Sequence, residues 1–335
     1  MLYPDTQTAV TITKAGGPEV LAPESVPVPR PGAGQVLIRV TAAGINRHDV
    51  HQRAAGRHSD GLAIPGLEVC GTVVALGPDV TGIANGARVI ALVQGGGYAQ
   101  YALANAALLM PAPESLSDVE AAAIPEAAFT TWWNFFGLMA LQKGQFALIH
   151  GGTSGVGHIA LQSLSALGYQ VIATCGSEEK AAAALGYGAL AAFRYSAPDL
   201  AQQVLKATGG LGISTLLDVS AGAHLDQDLD MMAPDGTIAH LSGGGGAEIR
   251  VPLQKIMARR IRITGSLLRP LPLACKAGIA EMIRKDLAPL LGARVRPTIA
   301  LCVDFRDAAA AHREMERNRH IGKIMLSVEH PQGKG

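Results

Sequence analysis

Two features of the sequence predict an α/β fold in two domains: a change of hydrophobic period part-way along the chain, and a glycine-rich turn joining an apolar strand to a helix. Residues 9–122 carry short β-like runs broken by Gly and Pro, which predicts a compact β-rich domain. After Pro125 strands and helices alternate, the pattern of a parallel, doubly wound sheet. A chain of 335 residues with 48% hydrophobic content can bury two cores.

In chain order, Gln35-Val-Leu-Ile-Arg-Val40, Gly71-Thr-Val-Val-Ala-Leu76, Ala87-Arg-Val-Ile-Ala-Leu92 and Tyr98-Ala-Gln-Tyr-Ala-Leu103 read as strands, with turns at Pro31-Gly32 and Gly95-Gly-Gly97. The central unit starts with the unbroken apolar strand Phe146-Ala-Leu-Ile-His150. This runs into the turn Gly151-Gly-Thr-Ser-Gly-Val-Gly157. Val156, Ala160, Leu164 and Leu167 then recur at helical spacing, Gly168 stands at the C-terminal cap, and Gln170-Val-Ile-Ala-Thr174 follows as a second buried strand. Further strands are predicted over 213–219, 236–241 and 261–268, with helices near 178–186, 199–208, 224–232 and 252–259. The end of the chain, helical over 305–318 and closing on the strand Lys323-Ile-Met-Leu-Ser-Val328, is again short and mixed, so it is expected to fold back onto the first domain.

The turn has the shape of a dinucleotide pyrophosphate site. Gly152, Gly155 and Gly157 let the backbone bend tightly, approach a diphosphate and pack helix on sheet, while free N–H groups of the first helical turn face the anion. An NAD site usually places Asp or Glu at the tip of the second strand to accept from the ribose 2′-hydroxyl. Here the tip reads Cys175-Gly176-Ser177, and Ser177, Lys180 and Arg194 or Tyr195 offer donors and positive charge to a 2′-phosphate. NADPH is therefore favoured. The competing reading gives the ribose to Glu178 or Glu179.

The net charge of +1, with 28 scattered basic residues, gives no electrostatic case for nucleic acid or a membrane, and points to small-molecule partners. Cysteines at 70, 175, 275 and 302 lie too far apart to suggest a disulfide framework or a CxxC metal site. With no basic, apolar leader at Met1 and no span long enough for a bilayer, a soluble cytoplasmic protein is expected.

Seven ordered segments carry a resemblance across essentially the whole chain: Gly16-Gly-Pro-Glu-Val-Leu21, Val26-Pro-Val-Pro29, Ala43-Gly-Ile-Asn-Arg-His-Asp-Val-His-Gln-Arg53, Pro65-Gly-Leu-Glu68, the glycine turn, Gly265-Ser-Leu-Leu-Arg269 and Ile321-Gly-Lys-Ile324. Together they resemble the medium-chain dehydrogenase/reductase superfamily and, within it, the zinc-independent NADPH:quinone oxidoreductases, nearest to the subgroup of the tumour-suppressor-induced quinone reductase. The resemblance implies a GroES-like catalytic domain over 1–123 and 269–335 and a Rossmann NADP-binding domain over 124–268. It also implies reduction of quinones by hydride transfer from nicotinamide C4.

Zinc relatives place a Cys and a His where this chain has Asn46 and Leu67, and they carry a structural cysteine quartet absent here, so no zinc is expected. His48, His51 and His58 are clustered, but the resemblance puts the first two on a helix where ligands do not normally sit. It puts Asn46 and Thr130 near the nicotinamide, in catalytic roles. Gly152, Ser154, Gly155, Val156 and Gly157 belong to the pyrophosphate, and Ser177, Lys180 and Tyr195 to the 2′-phosphate. Ser220, Leu241, Ser242, Gly243, Leu267, Leu268 and Arg269, with Lys323 as an outlying candidate, complete the cofactor set. Relatives have a tyrosine in the stretch before Glu68 that this chain lacks; Arg57 or His58 would stand at that lip. Two other functions stay open: a reductase of activated carbon–carbon double bonds, and a non-catalytic NADPH-binding protein. A long apolar edge at Ile261-Arg-Ile-Thr-Gly-Ser-Leu-Leu268 predicts a homodimer.

Overall fold

The structure is a computed structural model that describes residues 3–56, 63–220, 222, 224–242 and 248–330. The chain forms two compact units. One comprises residues 1–126, 276–284 and 291–335, and the other residues 127–275 and 285–290.

The first unit opens with an antiparallel pair, β1 (Thr6–Ile12) and β2 (Leu21–Pro27). Then come β3 (Gln35–Gly44), α1 (Arg47–Ala55), β4 (Glu68–Leu76), β5 (Arg88–Leu92), β6 (Tyr101–Asn105), β7 (Leu109–Pro111) and α2 (Asp118–Ala122). After α3 (Pro125–Trp132) the second unit supplies β8 (Phe146–His150), α4 (Gly157–Ala166), β9 (Gln170–Cys175), α5 (Glu178–Gly186), β10 (Ala191–Arg194), α6 (Leu200–Ala207), β11 (Ile213–Asp218), α7 (Leu225–Met231), β12 (Met232–His240), α8 (Leu253–Arg259) and β13 (Arg262–Gly265). Helix α9 (Leu273–Asp286) is divided between the units, and β14 (Ile299–Asp304), α10 (Ala308–Arg317) and β15 (Lys323–Ser327) return to the first.

In the first unit seven strands form one sheet in the order β14-β15-β3-β4-β5-β7, with β6 also on β3. The C-terminal β15 runs antiparallel beside β3, so the end of the chain lies one strand away from β4. Val36, Ile38 and Val40 of β3, Val69 and Val73 of β4 and Ile324 and Leu326 of β15 share the core with Phe305 and Met315. That burial removes apolar surface from water at about 25 cal/mol per Å².

In the second unit six parallel strands follow the order β10-β9-β8-β11-β12-β13, the doubly wound order predicted from the alternating pattern. One sheet face packs Ile149, Ala173, Leu217 and Ala239 against Ala160, Leu161 and Leu164 of α4. The other face packs Leu148, Ile172, Leu216 and Ile238 against helices α6 and α7. Strand order reverses between β8 and β11, which makes the ends of those two strands the topological switch point.

Several predicted bounds shift. The last strand covers 262–265 rather than 261–268, because the chain leaves the sheet at Ser266, whose N–H bonds the His240 carbonyl, and Leu267 stands 68% exposed. The strand predicted at Tyr98-Ala-Gln-Tyr-Ala-Leu103 begins at Tyr101. Before it, Tyr98 donates its N–H to Pro65 and accepts at its carbonyl from Val10, so this stretch is tied to the loop before β4 and to β1. Helix α4 begins at Gly157, three residues after Ser154, and residues 151–156 form the turn. Among the described residues no helix is long and apolar enough to cross a membrane.

Candidate functional site

The glycine turn joins β8 to α4 at the switch point. Gly151 has φ +71°, a left-handed conformation that favours glycine, and its N–H and that of Gly152 both donate to the Thr174 carbonyl of β9, at 2.9 and 3.1 Å. A Cβ on Gly152 would stand 2.6 Å from the Ala173 Cβ, and one on Gly157 would press into the Gly151 carbonyl. The sequence pattern singled out glycines 152, 155 and 157, but the residue with the left-handed φ is Gly151. The Ser154 hydroxyl accepts from the Gly157 N–H at 3.0 Å, pinning the loop to the helix start. Ser154, Gly155 and Val156 are partly exposed above it. This is a glycine-lined cradle at the start of α4, and it fits a dinucleotide diphosphate.

At the tip of β9, Ser177 caps α5 by accepting from the Lys180 N–H at 3.2 Å, which leaves its own O–H to donate. The Tyr195 hydroxyl lies over Gly176, where an added Cβ would stand 2.8 Å from it, and the ring is 39% exposed. Ser177 and Tyr195 therefore meet at one edge, with Lys180 on the first turn of the helix. Glu178, 82% exposed, has Arg194 at 3.8 Å.

Four strands end in a polar row. Two residues beyond the apolar set Leu148, Ile172, Leu216 and Ile238 stand His150, Thr174, Asp218 and His240 on the same sheet face, since side chains alternate along a strand. His150 shares a hydrogen bond with the Thr174 hydroxyl at 2.6 Å and bonds Asp228 through Nε2 at 2.8 Å. Burial opposes charge on His150, but the bond and attraction to Asp228, with Asp218 beyond, raise its pKa. Asp218 accepts from the Ser220 N–H and hydroxyl, from the Gly222 N–H at 2.7 Å and from His240 Nδ1 at 2.7 Å. Burial would raise the Asp218 pKa, but these bonds, from His240 first and then Ser220, hold it well below the usual carboxylate range. Ser220 is thus fixed by the residue at the end of β11. Leu241 and Ser242 follow His240, and Leu268 is buried after β13. Gly243, Arg57 and His58 lie outside the described residues.

The first unit holds a second polar cluster. Asn46 precedes α1, Glu68 opens β4 and Lys323 opens β15. The Asn46 amide donates from Nδ2 to Glu68 Oε1 at 2.9 Å and accepts at Oδ1 from Lys323 Nζ at 2.8 Å, so its orientation is fixed. Lys323 also donates to Glu68 Oε1, and Oε2 accepts from the Glu126 N–H at 2.9 Å. Glu68 is fully buried and Lys323 is 2% exposed. Gly44 makes room for this carboxylate, since a Cβ there would overlap Oε1. Thr130 belongs to the other unit; it is buried on α3, with its carbonyl accepting from Asn134 Nδ2 at 2.8 Å.

A buried chain of side chains supports Asn46 from behind. Arg53 only donates, so its 3.3 Å contact makes His312 Nδ1 an acceptor and leaves Nε2–H to donate to Tyr98 at 3.1 Å. The Tyr98 hydroxyl then donates to Asp49 at 3.1 Å, and Asp49 accepts from the Asn46 N–H at 2.8 Å and the Gly66 N–H at 3.2 Å. Burial and then Arg53 push the His312 pKa down to about 3, consistent with a neutral ring. Sequence reasoning missed Glu68, Asp49, Tyr98, His312, Asp218 and His240 as site residues.

The chain matches the alcohol dehydrogenase GroES-like domain over residues 32–114 and the zinc-binding dehydrogenase family over residues 155–284. It is 31% identical to a quinone oxidoreductase of Sus scrofa over 324 residues, covering 95% of this chain and 97% of that one. The chain belongs to the medium-chain dehydrogenase/reductase superfamily. Within it, a 2-haloacrylate reductase of Burkholderia sp is 30% identical over 328 residues, covering 95% of this chain and 98% of the relative. A mycobacterial protein solved in complex with NADPH superposes with a TM-score of 0.83 at 28% identity, over 96% of this chain and 99% of its own.

The zinc named by one of these families does not fit the residues present. The places that the resemblance gives to a thiolate and an imidazole hold the amide of Asn46 and the aliphatic Leu67, and the Glu68 carboxylate that Asn46 bonds already carries the Lys323 ammonium.

Proposed function

We propose that this chain is an NADPH-dependent reductase that delivers a hydride to a quinone without a metal ion. One observation carries the reading: a diphosphate cradle whose second strand ends in Cys175-Gly176-Ser177, with no carboxylate at the tip to repel a 2′-phosphate. The NADPH complex of the mycobacterial protein supports the cofactor, and the pig quinone oxidoreductase supports the acceptor.

When bound, NADPH supplies the hydride at nicotinamide C4. Gly152, Ser154, Gly155, Val156 and Gly157 hold the diphosphate, and Ser177, Lys180 and Tyr195 hold the 2′-phosphate. Ser220, Leu241, Ser242, Leu267, Leu268 and Arg269 flank the remainder, and Thr130 supports its reactive end. Asn46, locked by Glu68 and Lys323, has one N–H left to offer the acceptor's oxygen. A quinone is already electron-poor and its reduced oxygens take protons from water, so orientation and a hydrogen-bond donor are enough. Lys323 is accordingly assigned to the Asn46 cluster.

The test is NADPH oxidation against a panel of quinones, repeated with a chelator. Rapid turnover unaffected by chelation is expected, and Asn46→Ala should lower it by about tenfold or more. Unchanged turnover and NADPH affinity in that variant would remove Asn46 from the mechanism. A second reading, reduction of activated carbon–carbon double bonds, is favoured by the likeness to the 2-haloacrylate reductase, and turnover of haloacrylates or alkenals without quinones would establish it. NADPH binding with no turnover of either class would leave a non-catalytic protein. The assembly proposed is a homodimer along the outer edge of β13, an edge strand of four residues next to the exposed Leu267, and sedimentation as a monomer at micromolar concentration would refute it.

A further inference from the structure

His240 is the last residue of β12, on the side of the switch point away from the glycine turn, Ser177 and Tyr195. In a doubly wound sheet the two mononucleotide halves lie on opposite sides of that point, outside the carboxyl ends of the strands. Strands β8, β9 and β10 carry the adenosine features, so β11, β12 and β13 face the other half.

The protonation of His240 follows from its neighbours. Asp218 takes four bonds as an acceptor, from Ser220 N–H at 2.5 Å, the Ser220 hydroxyl, Gly222 N–H and His240 Nδ1. Nδ1 therefore carries the hydrogen, and in the neutral ring Nε2 is left as an acceptor. The side chain is 15% exposed, and Nε2 is buried with no partner among the described residues. One strand over, the Ser266 backbone N–H donates to the His240 carbonyl at 2.9 Å, and its buried hydroxyl also lacks a partner among them. Buried polar atoms are nearly always bonded, so the orphaned His240 Nε2 marks a place that a polar ligand or water fills.

We infer that His240 Nε2 is the hydrogen-bond acceptor for the nicotinamide riboside half of the cofactor, taking either a carboxamide N–H or a ribose O–H. The inference rests on the NADPH reading above. His240 then sets the cofactor's reactive half through one nitrogen, while its other nitrogen is held by Asp218, which also orders Ser220 and Gly222. A ligand contact and a purely structural role predict opposite behaviour of two isosteric variants. Asn places its amide near Nδ1 and keeps the bond to Asp218, whereas Gln places its amide oxygen near Nε2 and gives that bond up.

The experiment is calorimetric titration of the wild-type protein, His240→Asn and His240→Gln with NADPH and with 2′,5′-ADP, which carries only the adenosine half. Loss of one hydrogen bond corresponds to about fivefold to tenfold weaker binding. His240→Asn should weaken NADPH by that factor and leave 2′,5′-ADP unchanged, and His240→Gln should recover most of the loss. Unchanged NADPH binding in His240→Asn, equal loss for both ligands, or greater damage from Gln than from Asn would overturn the inference. The 2′,5′-ADP titration also reports whether each variant is folded. If the wild-type protein binds neither ligand, the NADPH reading itself falls; if it binds both and the variants do not differ, only the role of His240 falls. With the 3-acetylpyridine analogue of NADPH, a persisting penalty in His240→Asn assigns the donor to the ribose, and a vanished one assigns it to the carboxamide.

Discussion

The two units each bury a carboxylate near their candidate site, Glu68 in one and Asp218 in the other, and they satisfy it by different means. Glu68 meets a full positive charge, the Lys323 ammonium, and also accepts from the Asn46 amide and the Glu126 N–H. Asp218 is held by backbone N–H groups, a hydroxyl and an imidazole N–H, and its neighbourhood keeps polar atoms without partners among the described residues, His240 Nε2 and Asp228 Oδ2. The first arrangement joins opposite charges out of water and is strong only while both remain. The second is a scaffold of ordinary hydrogen bonds with capacity left over for a ligand. One carboxylate is therefore a structural keystone for a donor, and the other an organiser of a binding edge.

The largest effect separating the two should follow removal of one charge. Lys323→Met leaves a buried anion without its counter-charge, and a loss of about 3–5 kcal/mol in chemical denaturation is expected. Adding Glu68→Gln should recover much of that, because the uncompensated charge is gone. Asp218→Asn instead turns an amide N–H toward the donors Gly222 and His240, and should cost about 1–3 kcal/mol. Equal losses for the two single variants would erase the distinction.

The pH dependence of a second pair of carboxylates should run in opposite directions. Burial raises the Asp49 pKa to about 6, against the bonds from Asn46, Tyr98 and Gly66. A folded pKa above the unfolded value, about 3.9, means that the protonated form is favoured by folding. Its contribution is full below about pH 4 and is lost as pH rises toward 6. Asp218 is lowered, so its contribution is present above about pH 4 and is lost as pH falls through the folded pKa. The cost of Asp49→Asn, measured by urea unfolding, should therefore shrink by about 2 kcal/mol between about pH 4 and pH 7. The cost of Asp218→Asn should be smaller in acid than at neutrality. Parallel trends for the two variants would contradict the assigned environments.

The legible part of this molecule was the local part. The cradle, α5 and its Ser177 cap, and the alternation of strand and helix all depend on residues close in sequence, and periodicity with capping chemistry reports them directly. The Asn46 cluster was half legible. Asn46 was recognised by the motif around it, whereas its partner Lys323 lies 277 residues away and arrives only because β15 pairs with β3, which pairs with β4. A sheet order of this kind leaves no mark in local pattern. The strand-end row did leave one: Phe-Ala-Leu-Ile-His150, Val-Ile-Ala-Thr174, Thr-Leu-Leu-Asp218 and Thr-Ile-Ala-His240 each place a polar residue at the same end of an apolar run. Four such endings in a parallel sheet must fall side by side, so the row was available to a reading that compared strands with one another. The edge strand failed for a different reason. Apolar residues 267 and 268 continue the hydrophobic run, but the chain turns out of the sheet at Ser266, a backbone event invisible to hydropathy.

The smallest predicted effect concerns the exposed rim of the second unit, where ligand contacts are added to a surface instead of built into a core. Lys180 stands on the first turn of α5, its backbone N–H spent on the Ser177 cap, and its side chain is assigned to a 2′-phosphate in the proposed complex. The variant that tests this is Lys180→Ala. It should weaken NADPH by about 1–2 kcal/mol, the worth of a charged hydrogen bond, and leave NADH nearly unchanged, because NADH lacks the group that Lys180 addresses. The Michaelis constants for the two cofactors measure this as a ratio, which cancels any general damage to the site. If both constants rise together, Lys180 acts on something the cofactors share, and the adenosine end would have to be rebuilt around Glu178 accepting from a ribose hydroxyl.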